Sequence, residues 1–231
     1  MLRSAMTPKK RTYNDLCGLS HALELVGERW AILILRELTY GPKRFTDLRT
    51  GLPGASPNVL SQRLRELEEH QIVARRTLAP PAASKVYELT EWGRELEPTL
   101  RTLGSWAARS PYFPDTGHFS PSSLAMNLET MFLPDKADGL DLTVGLRFGD
   151  ESFCLRIADG SLHLKRGEAD KPDAVIDTDP MTFIGILYHG VELHAAEEAG
   201  ALRIEGDRNV VAALPRLFEL PEPVELEPAP A

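Results

Sequence analysis

Apolar residues recur at helical spacing through the first hundred positions, then give way to short alternating runs. "DLCGLSHALELVG" (15–27) sets Leu16, Leu19, Leu23 and Val26 three and four apart, one face of a helix. "ERWAILILRELTYG" (28–41) is apolar nearly all round from Trp30 to Leu35, as in a helix at a domain's centre, and Gly41-Pro42 end it. "RFTDLRTGL" (44–52) predicts a short third helix. Ser56 as cap and Pro57 at the first helical position open a fourth, running to about His70 on a buried stripe of Leu60, Leu64 and Leu67. Two strand-like runs follow, "IVARRTL" (72–78) and "SKVYELT" (84–90), joined by "APPAA". Thr90 then caps an amphipathic helix through Leu96, Leu100 and Leu103 to Trp106. Three helices followed by a two-stranded ribbon is the order of a winged helix-turn-helix, here with one helix added before and one after.

The periodicity changes after "RSPYFPDTGHFSPSS" (109–123), where Pro, Gly and Ser cluster. "GLDLTVGLRFGD", "ESFCLRIADG", "SLHLKRGEA" and "DAVIDTD" alternate and are separated by Gly or Asp turns, as in an antiparallel meander. Helical segments flank them: "SSLAMNLETMF" before, and "DPMTFIGILYHG", "ELHAAEEAG" and "DRNVVAALPRLFEL" after. The predicted fold class is α+β, with a winged helix-turn-helix at 13–109, a linker at 110–121, and an antiparallel sheet covered by helices at 122–219. "LPEPVELEPAPA" (220–231) alternates Pro with Glu and reads as a disordered tail.

Charge divides the chain at the same place. Residues 1–110 carry 17 Lys and Arg against 12 Asp and Glu, whereas the remainder carries 9 against 22. The first half can meet a polyanion and the second repels one, which points to different partners for the two. The fourth helix supplies candidate chemistry. Opposite its leucines lie Asn58, Ser61, Gln62, Arg65 and Glu69, with Ser56 at the N-terminal end. Several of these are types that hydrogen-bond base edges or phosphates, although any soluble helix turns polar residues outward. In a helix-turn-helix the second helix of the motif enters the major groove, and this helix holds that place. Arg63 flanks the stripe within reach of a phosphate, Arg75, Arg76 and Lys85 surround the Pro-Ala wing tip, and Lys43 and Arg44 open the third helix. Together they make double-stranded DNA the expected partner.

"CGLSHALELVGERWAILILREL", "GPKRFTDLR", "LPGASPNVLSQRLRELEEHQIVAR" and "YELTEWGREL" resemble the HxlR-type winged helix regulators of the MarR/DUF24 group, over about residues 13–107. The chain departs from that pattern in Gly18, where proline is usual, and in Gly27-Glu28-Arg29, where the family has Gly-Gly-Lys. The resemblance implies a homodimer joined through the first and last helices, a palindromic operator, and Asn58, Ser61, Gln62 and Arg65 at the bases. Cys17 then has two readings: a small buried hydrophobe, or an oxidant sensor as in some relatives, which needs access and a lowered pKa.

The second half, through its hairpin at Asp159-Gly160, "PDAVIDTD" and "GALRIEGD", resembles the sterol carrier protein 2-like (SCP2-like) domain over about residues 123–219. That implies an apolar tunnel for a lipid-like ligand, with Met181, Phe183, Ile184, Leu187, Tyr188, Leu217 and Phe218 as wall candidates, each of which ordinary core packing would also explain. No cofactor is implied. His189 and His194 with Glu192 between them do not share a helical face, so no metal site is expected, and no nucleophile motif or phosphate-cradling loop points to an enzyme. Two cysteines make no disulfide framework, the basic N-terminus has no apolar run behind it, and "WAILIL" falls far short of a membrane span. A cytoplasmic regulator is the expectation. Its rivals are a redox regulator working through Cys17 with a structural second half, and a lipid carrier whose winged helix serves dimerisation.

Overall fold

Helices α1 (Gly18–Val26), α2 (Ala31–Leu38), α3 (Phe45–Gly51) and α4 (Pro57–Glu69) lead into the ribbon β1 (Val73–Thr77) and β2 (Lys85–Leu89), the winged helix order expected. The computed structural model describes residues 12–79, 83–114 and 116–226, so most of the Pro-Ala tip lies outside the described residues. The core of this half gathers Ile34, Leu35 and Leu38 of α2, Leu48 of α3, and Leu60, Leu64 and Leu67 of α4 under Ile72, Val73 and Leu89. These are the aliphatic stripes whose spacing predicted the helices, and their burial is the main favourable term holding them.

One apolar face stays uncovered here, and one expected helix is broken. The apolar face of α1 is not core: only Val26 is buried, while Leu16, Leu19 and Leu23 are 107%, 69% and 42% exposed. The last amphipathic element is broken into α5 (Glu91–Arg94) and α6 (Glu97–Ala108). Pro98 has no N–H to give the carbonyl of Arg94, so one continuous helix cannot form there. Along α6 only Leu100 is buried, and Leu103 and Trp106 face outward.

Helix α7 (Pro121–Met131) starts on Ser120, whose hydroxyl accepts the N–H of Ser123 at 3.0 Å, so the last two residues of the expected 110–121 linker belong to this helix. Then come β3 (Leu142–Phe148), β4 (Glu151–Ala158), β5 (Ser161–Arg166), β6 (Ala174–Thr178), α8 (Pro180–Tyr188), α9 (Leu193–Glu198), β7 (Leu202–Gly206) and α10 (Arg208–Ala213). The expected wholly antiparallel sheet of four strands is instead a mixed sheet of five, in the order β5-β4-β3-β6-β7. The extra strand is "LRIEG", antiparallel to β6, while β6 itself runs parallel to β3. Hairpin signals identify β3-β4-β5 but say nothing of the strand that returns on the far side of β3. The return passes over Gly145, where an added Cβ would lie 3.3 Å from Val175 and 3.7 Å from Ala169 of the crossing segment.

Inward residues Val144, Leu146, Phe153, Leu155, Ile157 and Ile176 form a second core with Phe183 of α8 and Leu214 and Leu217 at the C-terminal end. Helix α7 belongs to both cores. Its Leu124, Ala125 and Leu128 pack in the second, and its Met126 in the first. The C-terminal stretch is only partly as expected: residues 221–226 have no helix or strand, yet the Val224 N–H donates to the Arg109 carbonyl at 2.8 Å. The rest of the predicted tail, 227–231, lies outside the described residues. Among the described residues no helix is long and apolar enough to cross a membrane.

Candidate nucleic-acid interface

Helix α4 is set at its N-terminus by Ser56, whose Oγ accepts the Val59 N–H at 3.4 Å, and by Pro57 at the first helical position. With Leu60, Leu64 and Leu67 buried, the opposite side presents Asn58, Gln62 and Arg65 exposed and Ser61 half-buried. Arg65 Nε lies 3.3 Å from the Ser61 carbonyl and Gln62 Nε2 lies 3.1 Å from Glu66 Oε1, weak surface contacts that leave both side chains free to turn toward a ligand. Arg63 stands apart from this group. It pairs with Glu66 and, at 3.1 Å, with Glu28, so its charge is already matched within the chain.

The ribbon holds its basic residues on exposed positions. Arg75 lies opposite Tyr87 with its guanidinium 5.8 Å from the ring centre, and Arg76 Nε reaches Glu88 at 2.8 Å. Lys85 is exposed at the start of β2. Arg44 is the N-cap residue of α3, its N–H donating to Asp47 Oδ2 at 2.9 Å, and its Nε donates to Ser84 Oγ at 3.1 Å, tying the helix-turn-helix to the wing beside its tip. Arg44, Asn58, Gln62, Arg65, Arg75, Arg76 and Lys85 are therefore all available at the surface of this half.

Lys43 is not, which corrects the expectation that it faces phosphate. Its side chain is 1% exposed, and its Nζ lies 2.7 Å from Glu37 Oε2 and 3.0 Å from Glu151 Oε1. Glu37 is fully buried and also accepts from Arg36 at 2.8 Å and from Ser120 Oγ at 2.6 Å. Burial pushes the Glu37 carboxyl up, but the Lys43 and Arg36 charges and the hydrogen bonds from Lys43 and Ser120 outweigh it and leave it below the usual carboxylate range. On the other side Glu151 meets Arg166 at 2.7 Å. A second junction lies beside it: Tyr40 Oη donates to Glu129 at 2.6 Å, and Arg101 of α6 pairs with the same carboxylate at 2.9 Å. Sequence reasoning missed this set. One signal was present, since Glu37 stands three residues after Ile34 on the buried face of α2.

Residues 25–112 match the HxlR-like helix-turn-helix family model, and residues 123–224 match the alkyl sulfatase C-terminal model. The HTH-type transcriptional regulator YodB of Bacillus subtilis is 37% identical over 95 residues, which span 41% of this chain and 85% of YodB. The chain belongs to the HxlR-like helix-turn-helix family. YtcD of Bacillus subtilis, another HTH-type transcriptional regulator, is 36% identical over 43% of this chain and 78% of its own. Among solved structures, the redox regulator HypR in its oxidized form is 32% identical, with a TM-score of 0.37, over 39% of this chain and 94% of its own. For the second half, the alkyl sulfatase C-terminal model stands where the sequence suggested a sterol carrier protein 2-like family.

In this HxlR-like chain Cys17 is exposed, not a buried hydrophobe. The backbone N–H groups of Leu19 and Ser20 hold its thiol below the ordinary value. Of the wall candidates in the second half, Phe183, Leu187, Leu217 and Phe218 are buried in the packed core, with Phe183 against Phe148 at 6.2 Å and Phe218 against Phe132 at 5.9 Å between ring centres. Ile184 and Tyr188 are half-buried, Tyr188 donating to Asn127 of α7 at 2.8 Å, and Met181 is 51% exposed. Among the described residues no group of three or more His, Cys, Asp or Glu could hold a metal ion.

Proposed function

We propose that the chain is a homodimeric transcriptional regulator that reads a palindromic operator through α4. The observation that carries this reading is the division of α4 into a buried leucine stripe and an outward face of Asn58, Ser61, Gln62 and Arg65, in the second helix of the motif. Asn58, Gln62 and Arg65 are placed at base edges, Arg65 being suited to guanine and Asn58 or Gln62 to adenine. Arg44, Arg75, Arg76 and Lys85 serve phosphates, with Ser56 and Ser61 as polar supports. Regulators among the relatives, such as YodB and YtcD, favour the same role. Acting on an operator places the protein in the cytoplasm, and no part of the role requires an enzyme.

The dimer reading rests on apolar surface that this half leaves uncovered. Leu16, Leu19 and Leu23 at the first helix, and Leu103 and Trp106 of α6, are exposed apolar residues, and a groove of about 220 Å³ runs along α1, lined by Ala22, Leu25, Val26, Ile72, Trp92 and Leu96 with Glu95. Large exposed apolar patches mark interaction sites. A second chain offering the same helices is the symmetric way to bury them.

For the second half, divided from the first at 110–121, we propose a sterol carrier-like binding module for a small apolar molecule. Its entrance is placed at Met181, Ile184 and Tyr188, the wall candidates that keep exposed surface. A second reading is favoured by Cys17: exposed, with a lowered pKa, in a chain similar to the redox regulator HypR. There the thiol is the switch and the second half a structural appendage.

Four measurements test these readings. A bidentate base contact contributes about 1–3 kcal/mol, so Arg65→Glu should weaken operator binding at least about fivefold while leaving the dimer mass intact in sedimentation. Leu19→Glu with Trp106→Glu should give a monomer; wild-type affinity in the first variant, or a dimer in the second, contradicts the reading. Native mass spectrometry of the purified chain should show an apolar adduct lost in Tyr188→Arg, and an adduct unchanged in that variant would remove the proposed entrance. If Cys17 is the switch, peroxide should weaken operator binding in the wild type and leave Cys17→Ser unaffected; an equal response in both excludes it.

A further inference from the structure

The buried Lys43 is tied to the chain in three directions at once. Its backbone N–H donates to the Tyr87 carbonyl at 3.0 Å and its own carbonyl accepts the Tyr87 N–H at 2.8 Å, so residue 43 extends the wing ribbon by one antiparallel bridge. The next residue, Arg44, caps α3. Any displacement of residue 43 is thereby delivered to the wing and to the first helix of the helix-turn-helix together.

Its side chain, in contrast, is held from both halves. Glu37 binds it from within the winged helix, and Glu151 at the start of β4 binds it from the second sheet. Arg166 at the end of β5 reinforces the second grip. Its Nη2 meets Glu151 at 2.7 Å, its Nη1 meets the Pro42 carbonyl at 3.4 Å, and its guanidinium lies 5.7 Å from the Phe153 ring centre. Phe153 in turn meets Tyr40 edge-on at 5.7 Å. Tyr40, Pro42 and Lys43 are thus all contacted by one corner of the second sheet, the ends of β4 and β5 that lie side by side.

We propose that Lys43 is the joint through which the second half positions the wing, with Glu151 and Arg166 as positioning residues. A charge this deeply enclosed has few alternative partners, so the joint is either made or broken, and does not slide through intermediate states. The corner of β4 and β5 reaches Tyr87 through Lys43. A shift of that corner, whatever binds the second half, changes how firmly the wing is held. The consequence for DNA rests on the operator reading above; the mechanical link does not.

Amide hydrogen exchange on the full-length chain tests the link without DNA. In Glu151→Gln and in Arg166→Gln, exchange at Lys43 and Tyr87 should rise at least about tenfold more than exchange at Leu64 and Leu67 in α4, each measured against the wild type. Unchanged exchange at Lys43 and Tyr87 would overturn the proposal. So would an equal rise in α4, which would make the contact a general stabiliser with no special hold on the wing. If Glu151→Gln does not fold, Glu151→Asp keeps the charge while shortening its reach and should show the same localised rise by a smaller factor. Failure of Arg65→Glu to affect operator binding would count against the DNA reading and leave this exchange result standing.

Discussion

One buried ammonium governs how this molecule is put together. Lys43 lies between Glu37 of α2 and Glu151 of β4, and each carboxylate has a further cation, Arg36 on one side and Arg166 on the other. Removing one partner from a buried pair costs about 3–5 kcal/mol, because the survivor keeps its desolvation cost without its counter-charge. A domain's whole stability is about 5–15 kcal/mol, so a network of this kind weighs heavily. Its value lies in specificity of placement more than in raw stability, since well-packed apolar residues could fill the same space as favourably. The charges help to seat the second half on the first, through Lys43 with Glu151 and Arg166 with the Pro42 carbonyl.

Helix α7 follows from that seating. Its Ser120 cap is held by Glu37, Met126 enters the first core, Glu129 takes up Tyr40 and Arg101, and Asn127 receives Tyr188 from α8. Burial and the neighbouring Glu129 push the Tyr40 phenol well up, so that hydroxyl remains a donor under all ordinary conditions. The helix that faces the proposed ligand entrance therefore touches both α2, beneath the helix-turn-helix, and α6, whose outer face belongs to the proposed dimer surface. A coupling between ligand, dimer and DNA would have a continuous packed path, and the two-state element on that path is the Lys43 joint.

Much of the winged helix was legible in the sequence because its physics is local. Leu60, Leu64 and Leu67 specify a helix and its inner face, and Ser56-Pro57 mark where it starts. The failures share a cause, which is that burial is decided by elements far away in the chain. Lys43 has the position of a phosphate ligand and is buried, because Glu151, 108 residues away, reaches it. Pairing of β6 with β3 is equally non-local, and no turn signal announces it. Arg44, Asn58, Gln62, Arg65 and the wing residues Arg75, Arg76 and Lys85 stayed exposed, as surface positions set by their own helix or strand should.

If the charge network seats the two halves as described, they should lose their structure together. Calorimetric unfolding of the full-length chain at fixed protein concentration is the most direct measurement. The expected result is one cooperative transition whose calorimetric and van't Hoff enthalpies agree, splitting into two when Glu151 is replaced by Gln. Two separate transitions in the wild-type chain, unmoved by that substitution, would mean that the halves fold independently and that Lys43 joins nothing.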